Sequence, residues 1–184
     1  MNRLTIACFF CVCLFLLVVL MGIFTIRDDN STLVQPSHKN TVNDVLKEKQ
    51  QTSEASLLLN ERLQQASLEN GRKIFSRCAL CHNSSKHNEV RRVGPTLWEI
   101  VNRPLATATG FSYSRALRAN FDKKWDFMTL DRFLHSPRKA FPGTIMSFAG
   151  IKNDQDRADL LLYLRSLSDH PVSLPMNNKE EDLN

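Results

Sequence analysis

The residues with the clearest potential for chemistry are two cysteines and a histidine. Cys78 and Cys81 are three positions apart, and His82 follows directly. Near a helix end, two thiols at this spacing lie on one side of the backbone, and each can form a thioether with a haem vinyl group. The adjacent histidine then places its imidazole over the iron. The pattern therefore predicts one covalent haem c on Cys78 and Cys81, with His82 as an axial iron ligand.

Two other uses of a Cys-x-x-Cys pair fit the sequence less well. A structural zinc site needs two further ligands at zinc-like spacing, and the chain has no second Cys-x-x-Cys. A thioredoxin-like dithiol belongs to a βαβ unit, and no segment alternates convincingly with the period of a strand. The other three cysteines, Cys8, Cys11 and Cys13, lie in an apolar segment, where cysteine packs as a small hydrophobic residue.

A haem iron held by one histidine takes a sixth ligand or keeps an open position for chemistry. Met128, Met146 and Met176 could each supply a thioether sulfur. Met176 lies in a polar tail, Met128 stands at the start of an apolar helical patch, and Met146 lies in a loop with Pro and Gly. The loop position leaves Met146 either a ligand or part of the core. An open sixth position would instead indicate an enzyme such as a haem peroxidase.

Helices separated by long loops must position these residues. Helical spacing of apolar residues precedes the cysteine pair from about Asn60, and a second patch covers Thr129–Leu134. The clearest helix follows a capping Asn153, and four residues share one face of it: Leu160, Tyr163, Leu164 and Leu167. Three loops contain glycine or proline: residues 93–96, 104–111 and 141–149. We therefore expect a small all-α domain whose long loops surround a functional group.

The longest apolar run lies near the start of the chain. Residues 4–26 carry no charged side chain over 23 positions. A helix of that length spans about 34 Å, enough to cross a hydrocarbon core of roughly 30 Å. The run is longer than the apolar region of a secretory signal, and it ends without an Ala-x-Ala-like cleavage site. It predicts an uncleaved transmembrane anchor over residues 1–27, with a removable signal peptide as the alternative.

Composition predicts the remaining boundaries. Residues 28–65 are polar and predict a linker with a short helical piece at most, residues 66–170 the folded domain, and residues 171–184 a flexible tail. Arg3 precedes the anchor, and two aspartates follow Arg27. The positive-inside rule therefore places the residues after the anchor outside the cytoplasm.

Six motifs follow one another between Gly71 and Leu167. They are Gly71–Phe75, Cys78–His82, Gly94–Trp98, Gly110–Ser114, Trp125–Lys152 and Asp159–Leu164. Together they resemble class I cytochromes c of the mitochondrial-type branch, and the anchor with its linker resembles membrane-bound bacterial members. The resemblance implies three to five helices wrapped around one haem c.

The resemblance also assigns roles to individual residues. It implies that Met146 is the sixth iron ligand and that the Pro95 carbonyl accepts the second ring N–H of His82. Three residues match positions that bond or neutralise the inner haem propionate: Arg103, Tyr113 and Trp125. Four match the crossing of the first and last helices: Gly71, Phe75, Leu160 and Tyr163. Phe133 stands where the branch commonly has a tyrosine near the methionine sulfur.

The implied function is one-electron transport. The resemblance suggests a membrane-tethered monomer that carries electrons from quinol–cytochrome c reductase to a terminal cytochrome c oxidase and is not an enzyme. It also suggests a single-pass protein of the bacterial inner membrane with its haem domain in the periplasm. A gas- or redox-sensing module is a rival interpretation, but the chain has no room for a signalling domain.

Charge supports docking on acidic partners. Between Gly71 and His170 the chain has 17 Lys and Arg against nine Asp and Glu. Five basic residues match family positions around the exposed haem edge: Arg77, Arg92, Arg138, Lys139 and Lys152. Positive charge beside a redox centre favours brief encounters with acidic surfaces. It would also attract nucleic acid, but no nucleic-acid-binding motif accompanies it, and no small-molecule substrate is expected.

Overall fold

The structure is a computed structural model that describes residues 42–86 and 92–175. This part of the chain contains six α-helices: α1 (Val42–Gln64), α2 (Leu68–Ala79), α3 (Arg115–Arg118), α4 (Phe127–His135), α5 (Pro137–Ala140) and α6 (Asp154–Ser166). Within the described residues, β-structure is limited to one isolated bridge between Pro104 and Lys124. The predicted all-α class is confirmed, and α2–α6 supply five helices to the expected domain.

The helices α2 and α6 cross at Gly71. A Cβ atom on Gly71 would lie 2.0 Å from the Asp159 carbonyl oxygen and 2.9 Å from the Tyr163 Cβ. Only a residue without a side chain allows the two backbones to approach this closely. Beside this contact the rings of Phe75 and Tyr163 pack with their centroids 5.0 Å apart. The crossing implied by the resemblance is therefore present.

Side-chain caps determine where these helices begin. Asn153 caps α6 by accepting a hydrogen bond from the Asp156 N–H at 2.9 Å, as the sequence predicts. Ser67 caps α2, and its own N–H donates to Asp159 Oδ1 at 2.8 Å. Asp159 is only 4% exposed, so a buried carboxylate of α6 holds the start of α2.

The helix α1 corrects the prediction of a polar linker over residues 28–65. Residues 42–64 form 23 residues of helix, much longer than the short piece expected there. Leu59 and Leu63 lie one turn apart, and each is only 1% exposed. The linker interpretation is wrong for this part because two leucines one turn apart are enough to bury the end of an otherwise polar helix.

Hydrogen bonds join α1 to the rest of the helical domain. Gln155 of α6 donates from Nε2 to the Arg62 carbonyl oxygen at 3.2 Å, near the C-terminal end of α1. Gln64 donates from Nε2 to the Pro175 carbonyl oxygen at 3.0 Å. The segment 171–175, which the sequence assigns to a tail, therefore contacts α1.

Several predictions from the sequence fall outside the described residues. These are the anchor at residues 4–26, the linker before residue 42 and the tail after Pro175. No helix within residues 42–86 and 92–175 is both long and apolar enough to cross a membrane.

Candidate functional site

A cavity of about 320 Å³ brings the predicted haem residues together. Cys78, Cys81, His82 and Met146 all line it. Its volume lies in the usual range of about 300–1,000 Å³ for ligand pockets. Six aliphatic side chains make much of the wall: Leu97, Ile100, Leu117, Leu130, Leu134 and Leu164. The cavity is suited to a large, mainly apolar group.

Two stretches of chain carry the candidate ligands His82 and Met146. The histidine segment consists of Cys78–His82 together with Gly94 and Pro95. The methionine loop is the stretch 141–153, between α5 and α6.

His82 is oriented by the backbone. Its Nδ1 lies 2.7 Å from the Pro95 carbonyl oxygen, so the Nδ1 proton is donated there and Nε2 is left for a metal. Its own N–H donates to the Cys78 carbonyl oxygen at 2.9 Å. Burial lowers the pKa of His82, which favours the neutral imidazole that a metal ligand requires. The Pro95 contact implied by the resemblance is confirmed.

Gly94 lies directly against the His82 ring. A Cβ atom on Gly94 would be 2.4 Å from His82 Cε1 and 2.6 Å from Nδ1. The Gly94 N–H donates to the Cys81 carbonyl oxygen at 2.8 Å. Glycine is required here because any side chain would displace the imidazole.

Cys78 and Cys81 both line the cavity, and no disulfide joins them. Burial raises the pKa of the Cys78 thiol to about 11. Dithiols with redox activity usually have a lowered thiol pKa, since the thiolate is the nucleophile. The environment of Cys78 therefore argues against the thioredoxin-like alternative.

Arg103 provides a test of whether haem fits. Nη1 donates to the Trp98 carbonyl oxygen at 3.1 Å, and Nη2 donates to the Thr96 carbonyl oxygen at 2.8 Å. Nε is buried and has no partner among the described residues. Burial lowers the pKa of Arg103, and the nearby Tyr113 and Glu99 offset this desolvation only in part. An unpartnered buried N–H beside an apolar cavity fits a haem propionate.

Aromatic residues complete the wall. Tyr113 lines the cavity, and its hydroxyl oxygen accepts a hydrogen bond from the Ala108 N–H at 3.2 Å. Trp125 and Phe133 also line it, with ring centroids 4.9 Å apart. Phe141 lies 5.8 Å from each of these two rings. Phe133 therefore belongs to the cavity wall as well as to the core.

The candidate methionines differ in their surroundings. Met146 lines the cavity with His82, and its N–H donates to Thr144 Oγ1 at 3.4 Å. Met128 is half-buried at the start of α4 and packs against the hydrophobic core. Met176 lies outside the described residues. Of the two described candidates, the cavity position favours Met146.

The five basic residues expected at a docking face are all exposed: Arg77, Arg92, Arg138, Lys139 and Lys152. Arg77 also lines the cavity. Lys152 donates from Nζ to the His135 carbonyl oxygen at 2.6 Å. Among the described residues, none of the five forms an ion pair with a carboxylate. Their charge is therefore available to an external partner.

Comparison with known proteins agrees with this site. Residues 68–168 match the cytochrome c family, which is more than half of the chain. This chain belongs to the cytochrome c family. Members bind haem c covalently, with iron, and Cys78–His82 is the only Cys-x-x-Cys-His pattern in this cytochrome. The alternatives of a zinc site and a dithiol are thereby set aside.

Individual relatives show how far the similarity extends. A cytochrome c homolog of Rickettsia bellii is 36% identical over 137 residues, covering 73% of this chain and 78% of the relative. Cytochrome c of Euglena viridis is 41% identical over 102 residues, covering 55% of this chain and 97% of the relative. The solved structure of cytochrome cH from Methylobacterium extorquens is 34% identical, with a TM-score of 0.50, and covers 55% of this chain and 99% of that one. The helix α1 precedes the region that matches the family.

Proposed function

We propose that this cytochrome is a membrane-tethered one-electron carrier and not an enzyme. The observation that carries the proposal is the placement of His82 and Met146 on one apolar cavity. Haem c bound there would supply an iron that alternates between the ferrous and ferric states. If His82 and Met146 both bound that iron, no position would be left for a substrate. Electron transfer through the haem edge is the remaining chemistry.

The residues around the cavity have separate tasks. Cys78 and Cys81 hold the group covalently, and the Pro95 carbonyl keeps His82 in the tautomer that offers Nε2. Arg103 offers its unpartnered Nε to a propionate. The aromatic and aliphatic wall excludes water, and a dry environment with a thioether ligand favours a high reduction potential.

The proposed location is the bacterial inner membrane, with residues 4–26 as a single-pass anchor and the haem domain on the periplasmic side. The uncharged run of 23 residues supports the anchor. We expect the full-length haem protein in the membrane fraction, because its anchor would resist extraction by salt. Haem staining of the fractions tests this, and an amino-terminal sequence that starts beyond Ile26 would contradict retention of the anchor.

The proposed partners are quinol–cytochrome c reductase as donor and a terminal cytochrome c oxidase as acceptor. The unpaired cations Arg77, Arg92, Arg138 and Lys139 support docking on acidic surfaces. Electron transfer to an oxidase should slow as ionic strength rises from about 10 mM to about 0.2 M, because the Debye length falls from about 30 Å to below about 8 Å. A rate that is flat with salt would count against electrostatic docking.

Two double variants that each remove two positive charges test whether the position of the charge matters for docking. Arg138→Gln with Lys139→Gln removes two positive charges from the expected docking face. Arg72→Gln with Lys73→Gln removes two from α2, where both side chains pair with Glu69. We expect a slower rate and a weaker salt dependence for the first variant only. Equal slowing of both would show that net charge acts without a defined docking face.

A further inference from the structure

The end of the methionine loop is fixed to the C-terminus of α4. The Ile151 N–H donates to the Leu134 carbonyl oxygen at 2.9 Å. A Cβ atom on Gly150 would lie 2.1 Å from the His135 carbonyl oxygen, so the two backbones are in direct contact. The loop reaches this attachment only five residues after Met146, and any movement at the attachment is transmitted to Met146 through a short stretch of chain.

One buried guanidinium organises this attachment. The Arg157 side chain, on α6, is 5% exposed. Nη1 donates to the carbonyl oxygens of Ile151 and Lys152 at 3.0 and 3.2 Å. Nε donates to Asp131 Oδ1 at 2.9 Å, and Nη2 donates to Asp154 Oδ1 at 2.7 Å. Arg157 therefore joins α6, the carbonyl groups of the loop and the carboxylate of Asp131 on α4.

The helix α4, which carries Asp131, also forms part of the cavity wall. Asp131 is followed on α4 by Phe133 and Leu134, which both line the cavity. The carboxylate of Asp131 is the anchor on α4 for the guanidinium that holds the loop. Arg62 of α1 lies 3.9 Å from Asp131 Oδ1 and adds a more distant positive charge. The distances make Arg157 the main partner of Asp131.

We infer that Arg157 and Asp131 are a positioning pair that holds Met146 at the iron site. The inference rests on the proposed ligation by Met146. The planar guanidinium donates to a carboxylate and to loop carbonyls at once, which a lysine ammonium cannot reproduce in the same geometry. Loss of the pair leaves buried carbonyls and a carboxylate without donors. The loop then opens more often, and Met146 leaves its position more often.

Asp159 provides a control that distinguishes positioning of Met146 from general stabilisation of the fold. Asp159 and Arg157 lie two positions apart on α6, and each is 4% exposed. Asp159 accepts hydrogen bonds from Ser67 N–H at 2.8 Å and from Asn70 Nδ2 at 2.6 Å, at the start of α2. Both residues are buried and charged, but only Arg157 contacts the methionine loop.

Imidazole measures opening of the loop directly. It binds ferric haem only when the methionine has left, so its apparent affinity is the intrinsic affinity multiplied by the open fraction. The full-length haem proteins to compare in detergent are wild type, Arg157→Lys, Asp131→Asn and Asp159→Asn. Imidazole titration gives the open fraction, and guanidinium chloride unfolding gives global stability. The charge-transfer band of thioether-bound ferric haem reports the starting ligation.

We expect Arg157→Lys and Asp131→Asn each to bind imidazole about tenfold more tightly than wild type, equivalent to about 1.4 kcal/mol. Asp159→Asn should lose global stability with an imidazole affinity close to that of wild type. Asp131→Asn retains the shape of the side chain and serves if Arg157→Lys gives too little folded protein. Imidazole affinities that follow global stability in all three variants would overturn the positioning role.

The spectrum of the wild type separates failure of the positioning pair from failure of ligation by Met146. A charge-transfer band in the wild type with unchanged imidazole affinity in both loop variants overturns the positioning pair and leaves ligation by Met146 intact. Absence of the band in the wild type overturns ligation by Met146, and with it the positioning pair.

Discussion

The histidine segment and the methionine loop line the same cavity, but they are held in different ways. His82 is oriented by Pro95, thirteen positions along the chain, and by the backbone of Cys78, four positions before it. The methionine loop is held at its end by Leu134, on α4, and by Arg157, on α6. Both partners of His82 lie within thirteen positions of it, whereas the methionine loop is joined to α4 through Leu134 and through Arg157, whose partner Asp131 is 26 positions away.

This difference has an energetic consequence. With haem bound to Cys78 and Cys81, the histidine segment would combine two covalent attachments with its hydrogen bonds, so it would have few ways to open. The methionine loop is held by noncovalent contacts, and a small change in their free energy changes how often it opens. We therefore expect changes in the histidine segment to affect formation of the haem protein, and changes near the methionine loop to affect ligation and potential.

The largest effect should come from Gly94→Ala. The added methyl group would lie 2.4 Å from His82 Cε1, and the imidazole would have to leave its position. We expect most of the low-spin haem protein to be lost, measured by haem staining and by the absorption spectrum of the purified protein.

Gly110→Ala is the matched control for this change. No atom lies within 4 Å of the added methyl group, and the only strain is the positive φ of 75°, worth about 1–2 kcal/mol. The control should keep a normal spectrum. A Gly94→Ala protein with wild-type yield and spectrum would show that the close packing on His82 is not required.

Met146→Ala should have the next largest effect. Removing the thioether opens the sixth position without disturbing the covalent attachment at Cys78 and Cys81. The ferric protein should lose its low-spin thioether spectrum and bind cyanide more tightly and more rapidly than the wild type, measured by optical titration. Met128→Ala should change stability but keep the spectrum. The reverse result would make Met128 the ligand.

Phe133→Tyr should have the smallest effect. It tests whether this residue of the cavity wall changes the reduction potential of the iron. A hydroxyl that donates to the methionine sulfur withdraws electron density, so ferric iron is stabilised less and the reduction potential rises. A hydrogen bond that differs by about 0.5–1 kcal/mol between the oxidation states corresponds to about 20–45 mV for one electron. Protein-film voltammetry measures the shift.

Phe127→Tyr provides the comparison on the same helix. Phe127 is half-buried at the start of α4 and packs against the hydrophobic core. Its variant should leave the potential unchanged. An unchanged or lowered potential in Phe133→Tyr, with Met146 still bound, would mean that Phe133 does not tune the iron.

Some features could be predicted from the sequence because they depend on neighbouring residues. Cys78–His82 predicts the attachment site, since two thiols and an imidazole at this spacing share one side of the chain. Asn153 predicts the start of α6, where its side chain accepts from an N–H three residues later. The role of Pro95 was implied by the resemblance, and Gly94 belongs to the same motif; the structure supplies the reason for both in their contacts with His82.

Other features depended on packing between distant elements. The predicted linker over residues 28–65 missed α1 because burial of Leu59 and Leu63 depends on the rest of the helical domain, and a polar segment does not show which of its few leucines will be covered. Arg157 also had no distinguishing pattern, since one arginine in a charged helix predicts an exposed side chain.

The sequence alone therefore predicts the chemistry of this protein: covalent haem on Cys78 and Cys81, with His82 directly beside the attachment site. Only the tertiary structure decided how the other ligand is held. A buried arginine is stable where the fold supplies a carboxylate and carbonyl oxygens to its donors. The carbonyl groups of Ile151 and Lys152 lie close to Arg157 in the sequence, but Asp131 lies 26 positions away on α4 and meets Arg157 only after α4 and α6 have packed.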